Sequence, residues 1–130
     1  MFIRSKSRFT DSLIIGTGTE KKKVTVDIDL IHSARSIRKA RETVAEAQQQ
    51  ALKDPSSAAV QRYGQALRSL VAAVFGDKQA DELVSFYEGH YDSMLNDIMP
   101  YIFKRVVPAI QRASKAHARQ YRKGTRHAAE

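Results

Sequence analysis

The apolar residues of positions 63–110 recur with the spacing of helices, and the breaks in that spacing divide the stretch into short segments. The pattern stops at Gly76, is interrupted at Gly89 and continues past Pro100 and Pro108. The stretch has no Cys, no repeated Asp or Glu at a metal-binding spacing and no Ser/His/Asp constellation. Its residues are therefore typical of packing rather than chemistry, which favours a helical binding or assembly protein over an enzyme.

The helix before Gly76 has the clearest pattern. Asp54-Pro55 is a candidate start, because Asp caps the free amides of a helix and Pro is tolerated at its first position. We expect the broad apolar face that follows to be the centre of the core. Its members are Ala59, Val60, Tyr63, Ala66, Leu67, Leu70, Val71, Val74 and Phe75.

Two further helical segments follow. Asp77 is a candidate cap for a third helix, which we expect Gly89 to end or bend before a fourth helix begins. Pro100 and Pro108 lie inside the fourth pattern. Because Pro removes a backbone hydrogen bond and crowds the preceding turn, we expect kinks or breaks at both.

The N-terminal part has a different period. Residues 9–16 and 23–29 are β-type, and a Gly-rich turn joins them, which predicts a β-hairpin whose open edges could pair between subunits. From about Ile31 an Ala-rich, narrow apolar stripe predicts a charged, mostly exposed helix, with Asp29 or Ser33 as its N-cap.

These elements fit one mainly α domain of about four helices with an N-terminal hairpin. We place the domain at residues 1–114, with the hairpin at about 9–29 and the helical part at about 31–114, and expect residues 115–130 to be a basic, flexible tail. The absence of Cys excludes disulfides and Cys-based metal sites, and no secretory or membrane-spanning pattern stands out. We therefore expect a protein of the cytoplasm without metal or cofactor.

Charge is distributed unevenly along the chain. Residues 1–53 hold 11 Lys/Arg against 6 Asp/Glu, residues 54–103 hold 3 against 7, and residues 104–130 hold 8 against 1. Two basic ends thus flank an acidic middle, which favours an acidic partner, a polyanion or self-association.

The aromatic residues of the third and fourth helices have two interpretations. They could form a groove for a partner helix, or they could be core packing. They are Phe86, Tyr87, Tyr91, Tyr101 and Phe103.

The order of hairpin, charged helix and apolar helices resembles the tail assembly chaperones of long-tailed (siphovirus-type) bacteriophages and prophages. The resemblance covers about residues 9–114, although the basic tail departs from many members, which are acidic. Its motifs are Tyr63-Gly64-Gln65-Ala66-Leu67, Val74-Phe75-Gly76, Phe86-Tyr87-Glu88-Gly89, Met94-Leu95-Asn96-Asp97-Ile98 and Val107-Pro108-Ala109-Ile110.

The resemblance implies a non-enzymatic protein of virion morphogenesis. Such a chaperone coats the helical, aggregation-prone tape-measure protein in the bacterial host cytoplasm until major tail protein polymerises around it. We predict that the partner binds the apolar faces of the third and fourth helices. The predicted partner-binding residues are Leu83, Tyr87, Tyr91, Met94, Leu95 and Ile98.

The alternative function is a small nucleic-acid-binding or DNA-packaging accessory protein. It depends on the basic C-terminal residues, which could neutralise phosphates, although no nucleic-acid recognition motif accompanies them. The candidate contacts are Lys115, Arg119, Arg122, Lys123 and Arg126.

Overall fold

The computed structural model describes residues 7–16 and 19–129, with the side chains of residues 7–16 and 19–119. An antiparallel hairpin precedes a helical part, so the predicted mainly α fold with an N-terminal hairpin is confirmed. The elements are β1 (Arg8–Ile15), β2 (Lys22–Asp29), α1 (Leu30–Lys53), α2 (Ser57–Phe75), α3 (Asp77–Phe86), α4 (Tyr91–Tyr101), a π-helical turn (Ile102–Val106) and α5 (Val107–Ala129).

The hairpin packs one face on the helices and passes directly into α1. Val24 and Val26 of β2 are the most deeply buried residues of that face, with 1% and 2% of their surface exposed. Asp29 then caps α1, because its carboxylate accepts the amides of Ile31 and His32 at 3.0 and 3.1 Å. The alternation in the second strand thus predicted the buried face, and Asp29 is one of the two caps proposed from the sequence.

Helices α1 and α2 form an antiparallel pair, and α2 is the centre of the fold. The buried stripe of α1 is narrow, with Leu30, Ile37 and Val44 in the core. The predicted apolar face of α2 is buried except for Val60, which is 42% exposed. Helix α2 contacts α1, α3, α4 and the hairpin, so the rest of the domain is arranged around it.

The start of α2 differs from the prediction. Asp54 closes the end of α1, because its backbone amide donates to the Gln50 carbonyl oxygen at 2.9 Å. The cap of α2 is Ser56, whose Oγ accepts the Ala59 amide at 3.3 Å. Asp54-Pro55 is therefore the link between the two helices and not the start of the second.

Helix α4, the π-helical turn and α5 form one continuous helical rod. The helix therefore does not break at Pro100 or Pro108, and the irregularity lies in the π-helical turn between the two prolines. In the π-helical turn the Val107 amide donates to the carbonyl oxygen of Ile102, five residues earlier. The ring of Pro108 would crowd the turn before it in a regular helix, and the wider π turn relieves that crowding. This rod and α1 to α3 make up the predicted four helical segments.

Helix α5 packs against α1 in its first two turns and then passes beyond it. Ile110 and Ser114 lie beside Ile31 and Ala34 at the start of α1. The side chains of residues 114–119 are exposed, and the helical backbone continues to Ala129. The domain boundary at residue 114 and the flexibility of residues 115–130 stay predictions. No described helix is long and apolar enough to cross a bilayer.

Candidate partner-binding groove

Three of the six predicted partner-binding residues belong to the core. Leu83 and Met94 have no exposed surface, and Ile98 is 1% exposed. They pack with α2 in the main hydrophobic cluster. A partner cannot contact them in this conformation, so the predicted surface has to be corrected.

Tyr91 is half-buried and packs between α4 and α2. Its ring meets the Tyr63 ring edge-on at 6.3 Å between centroids, and it lies directly over Gly64, where an added Cβ would come within 2.4 Å of the ring. The Tyr63 hydroxyl in turn donates to the Asp92 carboxylate at 3.0 Å. Burial and this carboxylate raise the pKa of Tyr63 above its ordinary value.

Tyr87 has a similar role between α3 and α4. Its hydroxyl donates to the Asp97 carboxylate at 2.7 Å, and burial followed by this carboxylate raises the pKa of Tyr87. Its ring packs edge-on against Phe86. Both tyrosines therefore stabilise the helical part, and Leu95 alone of the six predicted residues lines an open apolar surface.

That surface is a groove of about 810 Å³ between α1 and α4. Helix α4 supplies Leu95, Met99 and, in the π-helical turn, Phe103, which follow one another at intervals of four residues. The Phe103 side chain is 50% exposed although it is large and apolar. The groove is lined by Arg38, Arg41, Glu42, Val44, Ala45, Gln48, Leu95, Asn96, Met99, Pro100, Phe103 and Lys104.

The groove is open because α1 and α4 pack on other elements. Helix α1 packs on α2 and α5, and α4 packs on α2 and α3. Residues 38–48 of α1 and 95–104 of the opposite rod line the two sides. At 1.5 Å per residue these walls are about 15 Å long, which is the length of nearly three helical turns.

The rim of the groove is basic. The Arg41 guanidinium lies 4.6 Å from the centroid of the Phe103 ring, and its buried Nε has no hydrogen-bond partner among the described residues. Arg38 and Lys104 add two more cations, whereas Glu42 is the one carboxylate of the lining. The groove thus combines an apolar floor with a rim that attracts carboxylates.

Sequence reasoning missed most of this site. Phe103 was counted with the aromatic residues, but the expected break at Pro100 separated it from Leu95. Arg41 belongs to the helix that the sequence predicted to be charged and mostly exposed, and no pattern distinguished it from the other charged residues there. The signal that could have found the α4 wall is the i, i+4, i+8 spacing of Leu95, Met99 and Phe103, read through the proline.

Within the described part of the chain no group of three or more His, Cys, Asp or Glu could hold a metal ion. Glu88 and His90 lie in the turn between α3 and α4, and Asp92 lies in the first turn of α4. Glu88 has a φ of +53°, and His90 Nδ1 lies 2.9 Å from the Tyr87 carbonyl oxygen. These residues shape the turn.

The residues of the alternative function lie on α5. Lys115 and Arg119 are exposed, while the side chains of Arg122, Lys123 and Arg126 fall outside the described ones. The five positions fall within an arc of about 100° on the helical backbone, because their spacings are close to whole turns. Their alignment on one side of the helix is what phosphate contacts require.

Comparisons of the chain with protein-family models, with curated proteins and with solved structures find no match.

Proposed function

We propose that this protein is a non-enzymatic chaperone that holds an amphipathic helix of a partner protein in the groove between α1 and α4. Following the sequence resemblance, the partner is the tape-measure protein of a siphovirus-type phage or prophage, held until major tail protein assembles around it. The observation that carries the proposal is the uncovered apolar wall formed by Leu95, Met99 and Phe103.

The dimensions and composition of the groove support a helix as its occupant. An amphipathic helix places apolar side chains at i, i+3 and i+4, and nearly three turns of it match the length of the two walls. A long helical protein with exposed apolar stripes aggregates unless such stripes are covered. Covering them in short sections is the task for which a groove of this size is suited.

The rim favours partner segments with carboxylates beside the apolar stripe. Arg38, Arg41 and Lys104 surround the apolar floor. A carboxylate that pairs with one of these cations would gain a charge-assisted hydrogen bond in a partly dry site.

Co-expression with the tape-measure protein of the same gene cluster tests the proposal. We expect the wild-type protein to keep the tape-measure protein soluble and to co-purify with it. Phe103→Glu should abolish this rescue, because it places a carboxylate on the apolar wall. Val60→Glu is the matched control, since Val60 is also an exposed apolar residue but lies outside the groove. Equal rescue by both variants would refute the groove as the binding site.

Nucleic-acid binding is the second candidate, because Lys115 and Arg119 are exposed on a helix that projects from the domain. It predicts binding to DNA or RNA that falls steeply with salt, since each neutralised phosphate releases counterions. Charge removal by K115Q/R119Q should lower both the affinity and the salt slope. Salt-insensitive or undetectable binding would remove this candidate.

A further inference from the structure

The two edges of the hairpin differ, because α3 closes the edge of β2. There the Gln79 side chain makes the two hydrogen bonds to the backbone of Thr25 that a neighbouring strand would make. Its Oε1 accepts the Thr25 amide at 2.9 Å, and its Nε2 donates to the carbonyl oxygens of Thr25 and Phe75, each at 2.7 Å. Lys22 and Glu82 add an ion pair at 3.1 Å between the same two elements. No further strand can join the sheet at the centre of β2.

The edge of β1 is open. Ser12 is the cross-strand neighbour of Thr25, whose backbone amide and carbonyl point away from β1 and toward Gln79. In such a pair both residues point their backbone groups outward, so the amide and carbonyl of Ser12 point away from β2. Because the direction of the backbone groups alternates along a strand, the amides and carbonyls of Thr10 and Ile14 also point away from β2. The described residues provide no hydrogen bond to the outward backbone groups of Thr10 and Ile14. The Ser12 amide interacts with the neighbouring Asp11 carboxylate, which contributes to the lowered pKa of Asp11.

The apolar face of the hairpin is also incompletely covered on the β1 side. Val24 and Val26 of β2 are fully buried, whereas Phe9 and Leu13, which lie on the same face of β1, are half-buried. On the outer face Ile14 is 68% exposed. Strand β1 has no proline, bulge or lysine, and its inward-facing Asp11 is bound within the same chain by Tyr101 and Arg105.

We infer that the β1 edge binds the β1 edge of a second copy of this chain, in antiparallel orientation, to form a four-stranded sheet. A two-stranded sheet is marginal alone, and two identical edges in antiparallel orientation match each other's pattern of donors and acceptors. This inference concerns self-association through the hairpin and does not depend on the proposed groove or its occupant.

Like charges on β1 disfavour one of the neighbouring registers. With Ser12 opposite Ser12 of the second copy, Phe9 lies opposite Ile15, Asp11 lies opposite Leu13, and Thr10 lies opposite Ile14. A register centred on Asp11 would place the two Asp11 carboxylates directly opposite each other, which is unfavourable for like charges, whereas a register centred on Leu13 would place Ser12 opposite Ile14 and is distinguished by the cross-linking pattern below. The Ser12-centred register instead gives Phe9 an apolar neighbour.

Single-cysteine variants test this register without interference, because the chain has no Cys. Directly opposite residues of a hydrogen-bonded antiparallel pair have Cα atoms about 5.5 Å apart, which suits a disulfide. We expect oxidation to cross-link Ser12→Cys into a dimer, and to cross-link a mixture of Thr10→Cys and Ile14→Cys more than either alone. The control is Ser69→Cys, an exposed position on α2. Equal cross-linking of Ser12→Cys and Ser69→Cys would overturn the inference.

Sedimentation of the full chain provides a second test. With a dissociation constant in the micromolar range, most of the wild-type protein should be dimeric at about 100 µM, and the dimer should dissociate on dilution. Ser12→Pro should weaken this dimer by about tenfold or more, because it removes two symmetry-related hydrogen bonds. Its amide is outside the β1–β2 ladder, so the circular dichroism spectrum should stay that of the folded chain although the contact of this amide with Asp11 is lost. A monomeric wild type, or a dimer that Ser12→Pro leaves unchanged, would contradict the proposed interface.

Discussion

The two sides of α4 differ in how they are covered. On one side Tyr91 lies against Gly64 of α2, and the Tyr63 hydroxyl bonds to Asp92 at 3.0 Å, so the contact between α4 and α2 is close and polar groups are satisfied. On the other side Leu95 and Met99 face α1 across an open groove. Both sides are apolar, but only one completes the core. The second side is therefore left open by the domain itself.

The largest expected effect compares the two methionines of α4. Met94 is fully buried and Met99 lines the groove. Met94→Ala should lower the free energy of unfolding by about 2–4 kcal/mol through lost burial and a cavity, whereas Met99→Ala should lower it by less than about 1 kcal/mol. Urea unfolding of both variants measures the difference. Equal losses would show that the groove side is as tightly packed as the core side.

Gly64 provides the next test, because it permits the close contact of α4 with α2. A Cβ at this position would lie 2.4 Å from Cζ of Tyr91, so Gly64→Ala should destabilise the protein by about 1–3 kcal/mol through overpacking. In an exposed helix the same change would be stabilising. Thermal unfolding gives the sign of the effect.

The double variant G64A/Y91A serves as the control for this explanation. If the ring causes the loss, the two changes together should cost less than the sum of the single changes. Additive losses would mean that Gly64 is needed for another reason.

The apolar face of α2 and the hairpin were predicted from the sequence because a period and an alternation define them directly. The place of Leu83, Met94 and Ile98 in the core was not predicted, because the period identifies an apolar face but not the element that covers it. The continuity of the rod through Pro100 and Pro108 depends on a π turn for which the sequence has no established signature. The groove is formed by α1 and α4, which are distant in sequence, so no local pattern could have paired Arg41 with Phe103.

Arg41 permits a smaller test of the groove. Arg41→Gln removes the cation above the Phe103 ring and from the rim. Stability should change by no more than about 1 kcal/mol, because an exposed cation–π contact is weak. Binding of a partner with acidic flanking residues should weaken by more than binding of a neutral one, as titration calorimetry can measure. Equal weakening for both would argue against a role of the charge.

The smallest effect concerns the contact between the hairpin and the rod. The Tyr101 hydroxyl donates to Asp11 at 2.8 Å, and this bond is the main reason for the lowered pKa of Asp11. A carboxyl with a lowered folded-state pKa contributes stability above its unfolded value and loses it as the pH falls. The advantage of the wild type over Asp11→Asn should therefore shrink below about pH 4.

Urea unfolding at pH 6 and pH 3 measures this advantage. Tyr101→Phe is the control variant, since it removes the main cause of the shift and should reduce the pH dependence. A difference between wild type and Asp11→Asn that is the same at both pH values would contradict the role of this contact.

The most direct test of the groove is a methyl NMR titration with [13C-methyl]methionine. The chain has three methionines, at positions 1, 94 and 99, and the two in α4 lie on its two different sides. When a soluble segment of the proposed tape-measure partner is added, we expect a large shift of the Met99 signal and little change of the Met94 signal. A complex that forms while the Met99 signal stays unchanged would contradict the groove as the binding site.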